Sequence, residues 1–406
     1  MRSLLRALVA TVVIVAATGS ARADDEVRAD DMTPLRSQRS AATNDTRPVP
    51  AERTPRGACR LEDVDRDAFA CAEAYLRWVE RLPAERCAIP LEAGPLESCT
   101  PEGAARPEPG YRFAAEHHAR IAARVRATPG LLVPFVVGET LRGRPIWAYR
   151  LQAPGRRVTT RLLIVANLHA MEWVPTEIAV DALLEATSNP PPGVSWTVIP
   201  TLNPDGRARV ELDVRRGDDR FRRGNAANVD LNRDFAENRD SPTPFRWTMP
   251  WRYGSSPGPL SQPESRALDA LAAAVRFDAA VSLHAFGGYA FYPWAGLWER
   301  PADWKELHAM AVTLQSGMAT RPYRPKQLSR FLFTFVGQGM EIDHLYRRYG
   351  TKAILVEATR SGLSPWRPRE WTGNFRLYNP YDPRTDVQEG AAALRALAWS
   401  LRDDKG

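Results

Sequence analysis

Lysine is nearly missing from this chain. Only Lys305, Lys326, Lys352 and Lys405 stand among its 55 basic residues, so 51 are arginine. The arginines are scattered and form no dense run. That argues against nucleic-acid binding, despite a formal charge of +7, and the surplus is read as genome-wide arginine bias. Cysteine is scarce too: four in 406 residues cannot be the main staple of the fold. No stretch of 18 apolar residues occurs, which excludes a polytopic membrane protein. No internal repeat is found. What is present is 44% hydrophobic and 25% charged, enough for a large core and unlike a disordered or collagen-like chain.

Arg2 and Arg6 precede an apolar run at 7–17, and Ala21-Arg22-Ala23 follows. A basic start, a short apolar core and a small-x-small exit describe a secretory signal peptide over 1–23. The run is too short to cross a bilayer comfortably. No cysteine follows the cleavage point to carry a lipid. The segment holds three arginines and no acid, so the remaining chain carries +4. The expectation is a secreted or periplasmic protein, free of the membrane after signal removal and monomeric.

Export changes how the cysteines read. Cys59, Cys71, Cys87 and Cys99 share one 41-residue window, with spacings of 12, 16 and 12 and no histidine between them. This suits two disulfides better than a metal cluster; the pairing is open. Residues 24–57 are polar, poor in aromatics and read as disordered. Residues 58–105 form a cysteine-containing extension, and three roles stay open for 24–105: an inhibitory pro-region, an accessory module or a packed part of the enzyme. A helix is expected over 64–82, with Phe69, Ala72, Tyr75 and Val79 at helical spacing. Residues 90–109 are rich in Pro and Gly and look like a linker.

The remainder, 106–406, reads as one α/β domain. A helix at 113–127 precedes strands at 132–139 and 144–151, joined by a Leu141-Arg142-Gly143 turn. Apolar runs at 162–166, 196–200, 279–283 and 353–356 then alternate with helical stretches. Short continuous runs between helices predict a mixed, mostly parallel central sheet with helices on both faces.

Those runs end in polar groups. The first leads into His169-Ala170-Met171-Glu172, the second into Asn203-Pro204-Asp205-Gly206, the third into His284 and the fourth into Glu357. Ligands of open α/β sheets bind beyond the carboxyl ends of the strands, so four such ends point to one site. Two imidazoles and one carboxylate leave an open position on a zinc ion, whose water becomes acidic enough to attack a carbonyl. A nearby carboxylate must take the proton and return it to the leaving nitrogen, and Glu357 is the candidate. HxxE alone is a weak signal. His117, His118, His308 and His344 lack such context and are expected on the surface or in packing roles.

Further motifs accompany these residues: 137–145 (VGETLRGRP), Arg223-Gly224-Asn225, 228–235 (NVDLNRDF), Tyr253 through Ser261-Gln262-Pro263-Glu264, and Glu357-Ala358-Thr359-Arg360. In this order and spacing they resemble the zinc carboxypeptidase family typified by carboxypeptidase A, over about residues 111–401. The assignment of His169, Glu172 and His284 as ligands of one zinc rests on that resemblance. It implies that Arg223 stabilises the oxyanion, that Asn232 and Arg233 bind the terminal carboxylate of a peptide or protein substrate, and that Asp230 orients His169. Arg222, adjacent, could exchange roles with Arg223.

Three departures stand out. The family's arginine between the metal ligands is Met171 here, which puts recognition upstream of the scissile bond in doubt. Its mobile tyrosine, eight residues before the aspartate of Ile342-Asp343-His344-Leu345-Tyr346, is Phe335, which packs over substrate but donates no hydrogen bond. Ser-Tyr after the third ligand is Ala285-Phe286. Ile342 takes a position that lines the specificity pocket in the family and favours an apolar terminal side chain; Glu341 and Met340 adjoin it, and register is open. The expected function is an exported metallocarboxypeptidase. The rivals are a relative that cleaves cell-wall peptides and a peptide-binding relative with weakened catalysis.

Overall fold

The computed structural model describes residues 52–82, 111–240, 256–331, 336–360 and 374–402. The signal-peptide region, most of the 24–57 segment, Cys87, Cys99 and Phe335 lie outside these residues. Eight strands form one sheet: β1 (Leu132–Glu139), β2 (Pro145–Leu151), β3 (Thr160–Ala166), β4 (Val194–Ile199), β5 (Ala279–His284), β6 (Tyr289–Tyr292), β7 (Arg324–Gln327) and β8 (Lys352–Glu357). Their order is β1-β2-β4-β3-β5-β8-β6-β7. The inner four, β4-β3-β5-β8, are parallel. Strand β2 runs antiparallel to β4, β1 to β2 and β6 to β8, while β7 is parallel to β6. The sheet is mixed and mostly parallel, as expected.

The apolar runs are continuous because both faces of the sheet are covered. In β3, Leu162, Ile164 and Ala166 enter one apolar cluster, and Leu163 and Val165 enter the other. In β8, Ile354 and Val356 divide from Ala353 and Leu355 in the same way. Successive side chains alternate across a strand, so a strand covered on both faces needs no polar phase. The first cluster gathers α2 (Ala114–Ala127), α3 (Val174–Ala186), α4 (Pro204–Arg216), α6 (Trp304–Thr313) and α8 (Arg384–Ser400). The second gathers α5 (Pro263–Val275) and α7 (Glu341–Tyr349). Each fully buried Val, Leu or Ile contributes roughly 1.5–3 kcal/mol.

The expected helix at 64–82 is a short turn at Leu61–Val64 followed by α1 (Ala68–Arg81). The Asp67 carboxylate caps α1 by accepting from Ala70 N at 2.9 Å. Its buried stripe is Cys71, Tyr75 and Trp78, whereas Phe69 is 65% exposed. The helix packs on the body. Tyr75 and Trp78 meet the Trp147 ring at 4.9 and 5.2 Å between centroids. Cys59 pairs with Cys71, and Cys59 O accepts from Val136 N at 2.8 Å, covering part of the edge of β1. Residues 52–57, expected as the end of the disordered segment, are anchored on the β1–β2 turn: Thr54 N donates to Gly143 O, and Glu52 pairs with Arg144.

Candidate functional site

Strand β3 ends at Ala166, and the chain turns through Asn167 in a left-handed conformation (φ 55°). Asn167 Nδ2 donates to the carbonyls of His169 and Glu172 at 2.9 and 3.0 Å, so the side chain serves as the template of the HxxE loop. Asn379 closes it from outside, donating to Met171 O and accepting from Trp173 N. Met171 itself is buried in the core.

His284 ends β5 and Glu357 ends β8, and the two are direct partners in the parallel register. They therefore leave the sheet side by side. His284 Nδ1 lies 3.0 Å from His169 Nδ1 and 3.2 Å from Glu172 Oε2, and His169 Nδ1 lies 2.8 Å from Glu172 Oε1. The donor atoms of His169, Glu172 and His284 all lie within 4.8 Å of one another, and all three residues are buried. Two imidazole nitrogens 3.0 Å apart must share either a proton or a cation. Burial alone would lower His284, but the carboxylates of Glu172 and Glu341 hold its protonated form and push it up to about 10. The three donors could hold a cation, and two imidazoles with one carboxylate suit zinc.

The opposite edge of each ring meets a carboxylate. His169 Nε2 is 3.1 Å from Asp230 Oδ1, and His284 Nε2 is 3.1 Å from Glu341 Oε1. The family resemblance points to Asp230, whereas Glu341 stands in the sequence only as a neighbour of Ile342. Its signal was faint: an acid beside Ile342, at the start of a helix that only the fold brings over β5.

Arg223 donates from Nε to Asp230 Oδ2 at 2.7 Å, with Nη1 3.5 Å from Glu172 Oε1. Burial would weaken its protonation, but Asp230 and Glu172 hold the guanidinium charged. Arg222 turns away to Asp213, 2.8 Å from its carboxylate, so Arg223 is the neighbour that reaches Glu172. Asp230 sits well below the ordinary range, since Arg223 and His169 outweigh its burial. Asn232 Oδ1 accepts from Glu341 N at 3.1 Å, and Arg233 Nη1 donates to Asn232 O at 2.6 Å. Glu357 is pushed up to about 8, by burial first and then by the charge of Glu172. Its Oε2 is buried without a hydrogen-bond partner among the described residues. Ile342 is fully buried in the apolar cluster with Met340 and Leu345, one residue past the side chain that touches His284.

The remaining motifs are scaffolding around these groups. Asn203 Nδ2 donates to Leu168 O and Gly224 O, tying the HxxE loop to the loop of Arg223. A side chain at Gly206 would meet Asn203 at 2.6 Å and Ala170 at 2.8 Å, so glycine is required there. Asp234 accepts from Ser261 and Gln262, and Asn225 donates to Gln262 and Glu264. Of the other histidines, His117 and His344 are buried in packing roles; His344 Nε2 faces Asp269 at 2.8 Å.

A zinc carboxypeptidase family model matches residues 118–363, and the chain belongs to that family. Carboxypeptidase SOL1 of Arabidopsis thaliana is 27% identical over 176 residues, covering 40% of this chain and 30% of SOL1. This chain thus spans under a third of that relative's length. Among solved structures, thrombin activatable fibrinolysis inhibitor superposes with a TM-score of 0.60 at 18% identity, covering 72% of this chain and 74% of that one. Carboxypeptidase A of Helicoverpa armigera gives 0.56 at 20% identity, covering 72% and 75%. At these identities the two structures speak for the fold.

Proposed function

We propose that this protein is an exported zinc-dependent carboxypeptidase that hydrolyses the C-terminal peptide bond of peptides and proteins. The observation that carries the reading is the convergence of His169, Glu172 and His284 within 4.8 Å, with Glu357 paired beside His284 in the sheet. A zinc held by those three residues would supply Lewis-acid polarisation of the carbonyl and a water acidic enough to attack near neutral pH. Glu357 accepts the proton of the attacking water and delivers it to the departing nitrogen; its buried, partnerless oxygen and raised proton affinity suit both transfers. Arg223 meets the negative charge that grows on the carbonyl oxygen, with its planar group already fixed by Asp230. Asn232 and Arg233 hold the substrate's terminal carboxylate, and Phe335 supplies apolar contact to its last side chain, while the buried Ile342 packs behind the site. Residues 1–23 act as the export signal, and 58–82 belong to the working enzyme.

The test uses a blocked dipeptide with a free terminal carboxylate and its amide. The acid is cleaved and the amide is not, and Glu357→Gln keeps about one zinc per chain while losing cleavage. Full activity of zinc-free protein would sink the proposal. Cleavage of murein peptides with none of the blocked dipeptide would transfer the site to cell-wall substrates.

A further inference from the structure

We infer that Glu341 is a positioning residue for the metal centre, fixing the tautomer and direction of His284 as Asp230 does for His169. The inference rests on the zinc reading above. For Nδ1 of His284 to offer a lone pair toward His169 and Glu172, its proton must sit on Nε2. Three groups lie near Nε2: Glu341 Oε1 at 3.1 Å, Ser282 Oγ at 3.1 Å and Asn232 Nδ2 at 3.4 Å. Asn232 is excluded as acceptor, because its Oδ1 already accepts from Glu341 N and its amide nitrogen only donates. Ser282 can accept or donate and so selects neither tautomer. An ionised Glu341 only accepts, so it requires a proton on Nε2 and leaves Nδ1 free.

Burial makes the contact costly without such a role. The Glu341 side chain is 1% exposed, and its Oε2 has no hydrogen-bond partner among the described residues. An isolated buried carboxylate is strongly disfavoured unless a cation or strong donors compensate it. Here the imidazole N–H answers one oxygen. Glu341 is also the first residue of α7, where the helix N-terminus favours a negative charge. Each imidazole thus carries a carboxylate on the edge away from the cluster, and two such carboxylates make the histidines stronger donors toward a cation.

The test measures zinc affinity of the full chain by chelator competition, for wild type, Glu341→Gln and Glu341→Ala, with thermal unfolding of each metal-free protein. Gln keeps an acceptor and loses the charge; Ala loses both. Zinc affinity is expected to fall in the order wild type, Gln, Ala, by about 10–100-fold for Ala. The metal-free melting temperature of Gln should stay within about 3 °C of wild type. Cobalt-substituted wild type and Ala should differ in their visible absorption, reporting altered geometry. Equal zinc affinity in all three proteins overturns the inference while leaving the zinc reading intact. A wild type that binds no zinc overturns both.

Discussion

Arg222 and Arg223 are neighbours in the chain, yet the backbone sends one guanidinium to Asp213 and the other to Asp230. Their replacements should therefore diverge. Arg223→Ala is expected to lower kcat by roughly 10²–10³-fold, the range for removing one donor to a developing oxyanion. Arg223→Lys should recover little, since a point charge cannot keep the fixed planar contact with Asp230. Arg222→Ala should stay within about twofold of wild type, because its ion pair is partly exposed and worth at most about 1 kcal/mol. Steady-state kinetics on the blocked dipeptide decides, and equal losses from both alanines would void the assignment of roles. At this scale His284 and Glu357 were legible because each directly follows an apolar run, and His169 and Glu172 because the run at 162–166 leads into them and the pattern resembles the family's. Glu341 was not, because its contact joins residues 57 apart in sequence.

Helix α1 decides how much of the N-terminal segment belongs to the body. Trp78 and Tyr75 lie in the same apolar cluster as Trp147 and Tyr149 of β2, with Trp78 3% exposed. Trp78→Ala should cost about 3–5 kcal/mol, read from the urea midpoint at unchanged slope. A cost below about 1 kcal/mol would mean a loosely docked extension. The Cys59–Cys71 pair, 12 residues apart, closes a loop of a size for which cross-linking stabilises by roughly 3 kcal/mol. Cys59→Ser with Cys71→Ser should lower the urea midpoint accordingly. Strands and helices with strong periodicity were readable to within a residue or two. Strands β6 and β7 were not anticipated: each is four residues long, and β7 reads Arg-Pro-Lys-Gln, with no apolar pattern to announce it. The buried stripe of α1 was misplaced because Phe69 fits the helical period while the body lies against the side of Cys71, Tyr75 and Trp78.

The molecule as a whole carries buried carboxylates that pull its stability in opposite directions with pH. Burial alone would raise Glu177, but His117, Arg112 and Arg120 hold it down to about 2. Burial lowers His117, so near neutral pH the opposing charge is that of Arg112, 2.7 Å from Glu177. A depressed carboxyl stabilises above its unfolded value near 4.5 and loses that contribution as pH falls toward 2. Glu264 and Asp343 are raised by burial, to about 7 and about 6. A raised carboxyl carries no penalty in acid, and its folded state loses stability as pH rises from about 4 to those values. The shift at Glu264 corresponds to about 3 kcal/mol. Relative to Glu264→Gln, wild type should therefore lose about that much stability between pH 4 and 8 in urea unfolding with chelator present. A constant difference across that range would refute the effect. The amino-acid sequence by itself determined the α/β class, the inner strands, the order of the family's motifs and the side chains at the strand ends, because hydrophobic period and local motif are properties of neighbouring residues. The tertiary structure alone decided which arginine reaches Glu172, which carboxylate backs His284 and where α1 docks. Each of those contacts joins side chains through the register of the sheet and the placement of a helix, and neither is written in local sequence.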